Sequence, residues 1–374
     1  MLTIYMDNAA TSFPKANGVS DAIKSFLDRD CCNIGRGSYA RAQETGIRVI
    51  ETRERVRDLF GCPDAKRVIF TGGMTAALNT VIKGFVRRGD RVLVSSFEHN
   101  SVIRPLVQIG AEIVRIPTKA DLISDLDALP DDLNGFRLCV HTFASNVTGM
   151  IQPIETLSRR LHSYGVPLCV DAAQAAGHFP FSMTALGIDA LCMPAHKGLC
   201  AAQGLGLLCL TKEFADRLDP LISGGTGSVS DRYEIPAFYP DRLEAGTLNL
   251  PCIMGLSTAL QNADFAANRA HELALSSLFL DGLRQIPHMR LLGSDDPNKR
   301  VDVFSLAFSD RDNGDVSYLL ERDHGILTRC GLHCSPDAHK ASGTFPFGTV
   351  RFSFSPATTE DEVRAAICAI AQLV

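Results

Sequence analysis

Short runs of consecutive apolar residues alternate with amphipathic stretches of helical period along most of the chain. The apolar runs lack in-out alternation, which is typical of strands that are covered on both faces of a sheet. They predict seven strands: Arg67–Phe70, Arg91–Ser95, Glu112–Ile116, Leu138–Phe143, Pro167–Asp171, Ala190–Met193 and Leu205–Leu210. The intervening stretches predict helices, among them Ala40–Phe60 (apolar side Ile47, Ile50, Val56 and Leu59), Thr75–Arg87 and Ile154–Tyr164. Strands that alternate with helices predict an α/β fold with a mostly parallel seven-stranded sheet flanked by helices.

The pattern changes near Pro251. A long helical stretch at Ile253–Leu283 is followed by two strand-like segments, Met289–Leu292 and Val301–Phe308. Two more helical patterns follow, at Val316–Arg322 and from Thr359 onward. This order predicts a smaller α+β domain at the C-terminal end. We therefore expect a large domain over residues 16–252 and a small domain over residues 253–374, with residues 1–15 joined to the small one.

Composition narrows the class of protein. The 374 residues carry a net charge of −5 with no run of like charges, so we expect neither a nucleic acid nor an anionic membrane as partner. No apolar stretch reaches the roughly 20 residues that a membrane span needs, and the N-terminus lacks a signal-peptide pattern. Twelve cysteines in such a chain predict reduced thiols, most of them buried, and a cytoplasmic location.

Two residues that could serve a cofactor follow predicted strands. Lys197, in Ala195-His196-Lys197-Gly198, lies where burial would depress the pKa of its amine and allow a Schiff base. Asp171 ends an earlier strand, and a carboxylate there could keep a pyridinium nitrogen protonated, as pyridoxal phosphate chemistry requires. Taken alone, each position is more often an ordinary loop lysine or a turn-capping aspartate.

Three other strand ends carry related signals. Thr71-Gly72-Gly73-Met74-Thr75 joins a strand to a helix, and the free amides of such a helix start bind phosphate. His99 could stack on a planar cofactor and move protons, and Asn146 could bind a phenolic oxygen. Each is also a common turn residue, but their order after successive strands indicates one site at the carboxyl ends of the sheet.

With these residues in place, the chain resembles the class V, fold type I pyridoxal phosphate enzymes of the cysteine desulfurase and selenocysteine lyase group. The resemblance covers nearly the whole chain. It begins at Met6-Asp7-Asn8-Ala9-Ala10-Thr11 and continues through Asn33-Ile34-Gly35-Arg36-Gly37 and Glu98-His99. Arg242-Leu243-Glu244-Ala245-Gly246-Thr247 is similar to a family segment whose threonine reaches the phosphate in the partner subunit, which implies a homodimer with shared active sites.

The resemblance also implies roles for individual residues. Lys197 would carry pyridoxal 5′-phosphate as a Schiff base, and Asp171 would pair with the pyridine nitrogen. Gln174 and Asn146 would contact the phenolic oxygen while His99 stacks on the ring. The remaining cofactor contacts would come from Gly73, Met74, Thr75 and His196, with Thr247 supplied by the partner subunit.

A second cluster would handle the substrate. Arg329-Cys330-Gly331-Leu332-His333-Cys334-Ser335-Pro336 is similar to the short cysteine loop of one family branch, with Cys334 as the nucleophile. Gly348-Thr349-Val350-Arg351-Phe352-Ser353 resembles the segment whose arginine binds the substrate carboxylate, so Arg351 takes that role, with Asn146 beside it. Bases for the Cys334 thiol would be His333 or His99. A zinc site of Cys330, His333, Cys334 and His339 is the less favoured interpretation because no second cysteine couple lies at metal spacing, and we expect no metal.

The chain departs from the family at three places. Pro194 replaces a serine that helps to bind phosphate, Leu332 replaces a frequent histidine, and Cys200-Ala201-Ala202-Gln203 replaces a Gly-Pro after the lysine. None of these removes a group that Schiff-base chemistry needs. We expect a cysteine desulfurase that converts L-cysteine to L-alanine, leaves a persulfide on Cys334 and passes the sulfur to an acceptor protein or small thiol. The alternatives are a selenocysteine lyase, an aminotransferase or C–S lyase that does not use Cys334, and a sulfur carrier with a degenerate site.

Overall fold

The computed structural model describes residues 3–35 and 37–373, so Arg36 of the glycine-containing motif lies outside the described residues. The strands, in chain order, are β1 (Ile4–Tyr5), β2 (Val68–Thr71), β3 (Arg91–Val94), β4 (Glu112–Arg115), β5 (Phe136–Thr142), β6 (Leu168–Asp171), β7 (Ala190–Pro194), β8 (Gly206–Leu210), β9 (Met289–Leu291), β10 (Val303–Phe308), β11 (Ile326–Leu327), β12 (Arg329–Gly331) and β13 (Thr349–Ser353). The helices are α1 (Val19–Ser25), α2 (Ala40–Phe60), α3 (Met74–Phe85), α4 (Asn100–Ile109), α5 (Ile154–His162), α6 (Lys212–Ala215), α7 (Leu250–Gln261), α8 (Phe265–Leu283), α9 (Asn313–His324), α10 (Pro336–Ala341) and α11 (Glu360–Leu373).

Strands β2 to β8 form one seven-stranded sheet in the order β2-β8-β7-β6-β5-β3-β4. β8 is antiparallel to both of its neighbours, and the other paired strands run parallel. Each observed strand lies within two residues of its predicted ends. The fold predicted from the sequence, an α/β architecture with a mostly parallel seven-stranded sheet, is therefore confirmed.

Neighbouring residues of the strands enter two different apolar clusters. Leu191 and Met193 of β7 pack in the cluster that holds α2 and α7, whereas Ala190 and Cys192 pack in the cluster that holds α3 and α4. Both faces of the sheet are thus buried, which explains why its strands are continuous apolar runs without alternation.

A smaller antiparallel sheet has the strand order β12-β13-β10-β9, and β1 pairs in parallel with β11. Its apolar cluster joins strands β10 and β13 to α8, α9 and α11, and it also contains Met6 from the N-terminal segment. Phe279 lies at the centre, with its ring centroid 5.0 Å from Phe304 and 5.3 Å from Phe354.

Two details of the sequence-based prediction are wrong. The single helix expected over Ile253–Leu283 is two helices, because Asp264 leaves helical geometry and its carboxylate accepts a hydrogen bond from Ala267 N at 2.9 Å, which starts α8. The predicted apolar side of α2 is wrong for Ile47 and Ile50, although Val56 is buried as expected. Ile47 and Ile50 are 54% and 57% exposed, and Arg53 points inward instead, where it forms a bidentate ion pair with Glu244 at 2.6 and 2.7 Å.

Gly177 brings the turn after β6 against the loop that carries Lys197. Its φ is +95°, and a Cβ at this position would lie 2.2 Å from the carbonyl carbon of Gly198. Gly165 also has a positive φ, +68°, but a Cβ there would meet no atom within 4 Å. Alanine substitutions at the two glycines therefore distinguish the cost of backbone strain, present at both positions, from the cost of steric overlap, present only at Gly177.

We expect Gly165→Ala to lower the free energy of unfolding by about 1 kcal/mol, the cost of a left-handed alanine. Gly177→Ala should cost a further 1–3 kcal/mol, roughly, because the methyl group overlaps the backbone of Gly198. Urea unfolding of both variants measures the difference. Equal losses would mean that the contact between the two turns contributes nothing.

Candidate active site

A cavity of about 230 Å³ opens at the carboxyl ends of the parallel strands. Loops after β2, β3, β5, β6 and β7 contribute to its wall, as expected for an open α/β sheet. The lining residues singled out from the sequence are Met74, Thr75, His99, Asn146, Asp171, Gln174, Pro194, His196, Lys197, His333, Cys334 and Arg351. Ala9 also lines the cavity, so the topology gathers residues that lie up to 342 positions apart in sequence, from Ala9 to Arg351.

Asp171 and Lys197 form the buried polar pair of the cavity. Asp171 ends β6, is 4% exposed and accepts a hydrogen bond from Ala173 N at 2.9 Å. Burial raises the pKa of this carboxyl, and the nearby ammonium of Lys197 opposes the rise. Burial lowers the pKa of Lys197 to about 8, and Asp171 opposes that change. A substantial fraction of the amine is consequently neutral near pH 8, and it has no hydrogen-bond partner among the described residues.

The peptide before Lys197 is held by the N-terminal segment. The His196 carbonyl accepts hydrogen bonds from Ser12 N at 3.0 Å, Ser12 Oγ at 3.1 Å and Thr11 Oγ1 at 3.2 Å. Lys15 Nζ donates to the same carbonyl at 3.1 Å and to the hydroxyls of Thr11 and Ser12, each at 3.1 Å. We call Thr11, Ser12, Lys15 and His196 together the His196 knot. It fixes the backbone next to Lys197.

The start of α3 offers amides to an anion. Gly73 precedes the helix with a φ of +121°, and Met74 and Thr75 follow at the cavity wall. Gly206 of β8 lies so close that a Cβ there would be 2.4 Å from the carbonyl carbon of Gly73. A glycine at 206 thus allows this turn to sit directly on the sheet, where its amides and the helix dipole favour a phosphate.

His99 is an uncharged ring on the opposite wall. Its Nδ1 accepts a hydrogen bond from Ser101 N at 3.1 Å and lies 2.8 Å from Ser101 Oγ, so Nε2 carries the ring proton. Burial, with a smaller contribution from the positive charge of Lys197, lowers the pKa of His99 to about 4. A neutral, fixed imidazole is suited to stacking on a flat group.

The cysteine loop adopts an unusual backbone. His333 and Cys334 both have positive φ values, +49° and +59°, and two consecutive non-glycine residues in this region need external support. Asn146 supplies it, since its amide donates to His333 O at 2.7 Å and accepts from Ser335 Oγ at 2.8 Å. Asn100 N also donates to Cys334 O at 2.8 Å. The Cys334 side chain is exposed at the cavity mouth.

Neither histidine near Cys334 is a strong base. His333 is 6% exposed, and burial together with the charge of Arg351 lowers its pKa well below the usual value. Its Nε2 lies 3.1 Å from Thr349 Oγ1, whereas its buried Nδ1 has no partner among the described residues. Within residues 3–35 and 37–373, no group of three or more His, Cys, Asp or Glu side chains is arranged to hold a metal ion.

Arg351 lies beside the cysteine loop and is 2% exposed. Its Nη2 donates to Asp7 Oδ1 at 2.8 Å, and its Nη1 donates to Asn146 O at 3.1 Å. Arg329, its cross-strand neighbour, lies 3.8 Å from the other oxygen of Asp7. Asp7 therefore orients both guanidinium groups that face the cavity.

Thr247 and Gly73 do not line this cavity. Gly73 is the residue immediately before the lining residue Met74. Thr247 lies in a separate groove of about 900 Å³, between α2 and residues 225–248, that also exposes Ile47 and Ile50.

The sequence analysis assigned no role to several residues that support the site, among them Asp7, Ser12, Lys15, Ser101 and Ser335. Asp7 lies in the N-terminal motif and Lys15 follows it, but Asp7 contacts Arg351 344 positions away and Lys15 contacts the His196 carbonyl 181 positions away, so no local pattern reveals these contacts.

The sequence model of the family Aminotransferase class-V matches residues 4–365. The chain belongs to this family. It is 32% identical over 381 residues to cysteine desulfurase CsdA of Escherichia coli (strain K12), covering 98% of this chain and 93% of the relative. The apo structure of a cysteine desulfurase from Thermococcus onnurineus NA1 superposes with a TM-score of 0.92 at 28% identity, over 100% of this chain and 94% of the other. The crystal structure of E. coli CsdA in its S-sulfonic acid form superposes with a TM-score of 0.86 at 30% identity, over 99% of this chain and 94% of the other. The resemblance inferred from the motifs is thus confirmed.

Class V aminotransferases use pyridoxal 5′-phosphate, and the cavity of this family member fits that cofactor. The amine of Lys197 suits an aldehyde, the carboxylate of Asp171 suits a protonated pyridine nitrogen, and the amides at the start of α3 suit a phosphate. Gln174 Oε1 is buried without a hydrogen-bond partner among the described residues, although Nε2 of the same side chain donates to Ala9 O at 2.9 Å. A hydrogen-bond donor of a bound group would satisfy this accepting oxygen.

We expect Lys15→Met to lower the free energy of unfolding by about 2 kcal/mol, because the three hydrogen bonds from its ammonium to the other three residues of the His196 knot are lost. The control is Lys299→Met, since Lys299 is exposed and its amine has no bond in the described part of the chain. Urea unfolding measures both. Equal stability of the two variants would show that the knot does not hold the Lys197 loop.

Proposed function

We propose that this class V enzyme is a cysteine desulfurase that converts L-cysteine to L-alanine and keeps the sulfur as a persulfide on Cys334. The observation that carries the proposal is that Lys197, Arg351 and the exposed Cys334 border one small cavity. An amine, a carboxylate receptor and a thiol are the three groups that desulfuration of an amino acid needs. The relatives named cysteine desulfurases, aligned over nearly the whole chain, support the same activity.

Pyridoxal phosphate, when bound, withdraws electrons from the amino acid and so makes its Cα–H and Cβ–S bonds breakable. Lys197 would hold it covalently, Asp171 would pair with its ring nitrogen, and His99 would stack on its face. Gln174 and Asn146 would lie near its phenolic oxygen. The remaining contacts would come from Gly73, Met74, Thr75 and His196. Thr75 would offer a hydroxyl to the phosphate, whereas Pro194 has none to offer.

Arg351 would bind the carboxylate of the substrate in bidentate fashion. Asp7 and the Asn146 carbonyl already fix the plane of its guanidinium, so little orientation is left to arrange when the substrate enters. Asn146 also holds the cysteine loop, so one side chain links the carboxylate site to the nucleophile.

Lys197 would move the substrate proton. Burial lowers its pKa to about 8, so a fraction of the amine is neutral and could accept a proton from Cα. The wall behind it is closed to solvent, because Asp171 and its neighbours on β6 are buried.

Cys334 would take the sulfur as a thiolate. Its Sγ attacks the sulfur of the substrate, so an S–S bond forms while the Cβ–S bond breaks. The electron pair of the broken bond goes to the carbon skeleton, which takes up a proton and leaves as L-alanine. Cys334 also borders an open groove of about 410 Å³ along α4, lined by Asn100, Arg104 and Gln108. An acceptor protein or small thiol would collect the persulfide there.

We expect Cys334→Ala to reduce alanine release from L-cysteine by about 1000-fold, since the nucleophile is lost, while the visible absorption band of the bound cofactor persists. Cys330→Ala, four positions earlier, is the matched control and should stay within about 3-fold of the parent. Alanine release is measured by chromatography, and the persulfide by mass spectrometry of intact protein. Unchanged alanine release in Cys334→Ala would replace the proposal by a C–S lyase or aminotransferase. A selenocysteine lyase would be favoured if selenocysteine were turned over faster than cysteine and if the turnover of selenocysteine did not depend on Cys334.

We further propose a homodimer in which Thr247 of each subunit reaches the phosphate in the other. The support is the groove that holds Thr247, because it exposes two isoleucines of α2 and lies apart from the subunit's own cavity. Exposed apolar patches of this kind are typical of interfaces.

Ile50→Glu should convert the dimer to monomers, because a charge would be buried against the partner, and weaken retention of the cofactor by about 10-fold or more. Tyr318→Glu on α9, at a side chain that is 60% exposed, is the control and should stay dimeric. Analytical ultracentrifugation and dialysis measure the two effects. A dimeric Ile50→Glu variant with normal cofactor retention would place the interface elsewhere.

We also propose the cytoplasm as the site of action and a division into a large domain over residues 16–252 and a small domain over residues 253–374 with 1–15. All twelve cysteines are free thiols, which supports a reducing compartment. No described helix has the length and apolar character of a membrane span.

A further inference from the structure

Glu98 is a buried carboxyl group that the mechanism above does not use. It lies directly before His99, is 1% exposed and sits between the ends of β3 and β5. One oxygen, Oε1, accepts a hydrogen bond from Ser95 Oγ and another from Thr142 N at 2.8 Å. The other oxygen, Oε2, is fully buried and has no partner among the described residues.

The residues that Glu98 joins all support the cavity. Ser95 directly follows β3, and Thr142 lines the cavity and is paired with Asp171 across β5 and β6. The carboxyl therefore ties the wall that carries His99 to the strand next to Asp171. A side chain in this place sets the spacing of two groups that would contact the cofactor.

The charges around Glu98 disfavour an anion there. Asp171 on β6 and the thiol of Cys139 on β5 interact electrostatically with Glu98, and His141 directly precedes its hydrogen-bond partner Thr142 on β5. Burial raises the pKa of Cys139 well above its usual value and lowers the pKa of His141 to about 4, so both are neutral, as is His99. Lys197 lies on the far side of Asp171 and opposes the rise in the pKa of Asp171.

We propose that Glu98 is a positioning residue that works as an uncharged acid: it clamps the ends of β3 and β5, and hence His99 and Asp171, without placing a second negative charge beside Asp171. Burial, reinforced by Asp171 and opposed by the two hydrogen bonds, raises the pKa of Glu98 to about 8, in keeping with this form. The inference rests on the proposed function only in that His99 and Asp171 are taken to contact the cofactor.

The first test uses the pH dependence of thermal unfolding for the cofactor-loaded protein and for Glu98→Gln, which keeps the shape and the accepting oxygen but cannot ionise. A carboxyl whose pKa is higher in the folded than in the unfolded protein stabilises the fold below the unfolded pKa, and this stabilisation is lost as the pH rises through the folded pKa. The melting temperature of the parent minus that of Glu98→Gln should therefore fall by several degrees between about pH 5 and about pH 9. A flat or rising difference would mean that Glu98 is ionised in the folded protein, and would overturn the proposal.

The second test asks whether the hydrogen bonds that Glu98 accepts position the cofactor-contacting groups. Glu98→Ala leaves Ser95 Oγ and Thr142 N unpaired, and should lower kcat by about 10-fold or more and shift the absorption maximum of the bound cofactor. Glu98→Gln should restore the maximum and recover kcat to within about 3-fold of the parent. Equal behaviour of the two variants would overturn the positioning role. If Glu98→Ala does not fold, the melting curves and the spectrum of Glu98→Gln decide alone. If no persulfide forms on Cys334 of the parent, the proposed function fails while the melting curves still decide the state of Glu98.

Discussion

The burial of the Asp171 carboxylate and the Lys197 amine in one wall is the constraint on which the site depends. Two groups that water would keep charged are held at the ends of adjacent parallel strands, where desolvation pushes their pKa values toward each other and their mutual attraction pushes them apart. The balance leaves a lysine that titrates near pH 8. The surrounding structure maintains this burial through the Gly177–Gly198 contact on one side and the His196 knot on the other.

Much of the fold could be predicted from the chain because the sheet is covered on both faces. Continuous apolar runs mark its seven strands, and the residues that follow the six strands of common direction fall at the same edge of the sheet, whereas β8 runs the other way. For this reason the sequence alone predicts that the motifs at Lys197, Asp171 and His99 meet in one cavity. The side of α2 that faces the core could not, since Arg53 is buried by a distant partner, Glu244, and displaces the isoleucines to the surface.

Contacts between distant segments account for what the sequence could not reveal. Asp7 meets Arg351 across 344 positions, and Asn146 meets the cysteine loop across 187. Glu98 follows a strand as a charged residue, which normally indicates an exposed turn. It is buried because β3 and β5 lie side by side, and the residue after β3 and the last residue of β5 supply the hydroxyl and the amide that pair with its carboxyl group. Local pattern thus predicts which strand end a residue occupies, whereas the partner that orients it depends on tertiary packing.

The cavity draws on nearly the whole length of the chain, from Ala9 to Arg351. The ribosome releases the chain from its N-terminal end onward, so the large sheet is made long before the strand that carries Arg351. A nascent chain that has emerged only as far as β8 already contains Lys197 but lacks both guanidinium groups and the thiol at the mouth. Completion of the site therefore waits for the strand that carries Arg351, and a fragment that stopped at β8 would contain the reactive lysine without the groups that select a substrate.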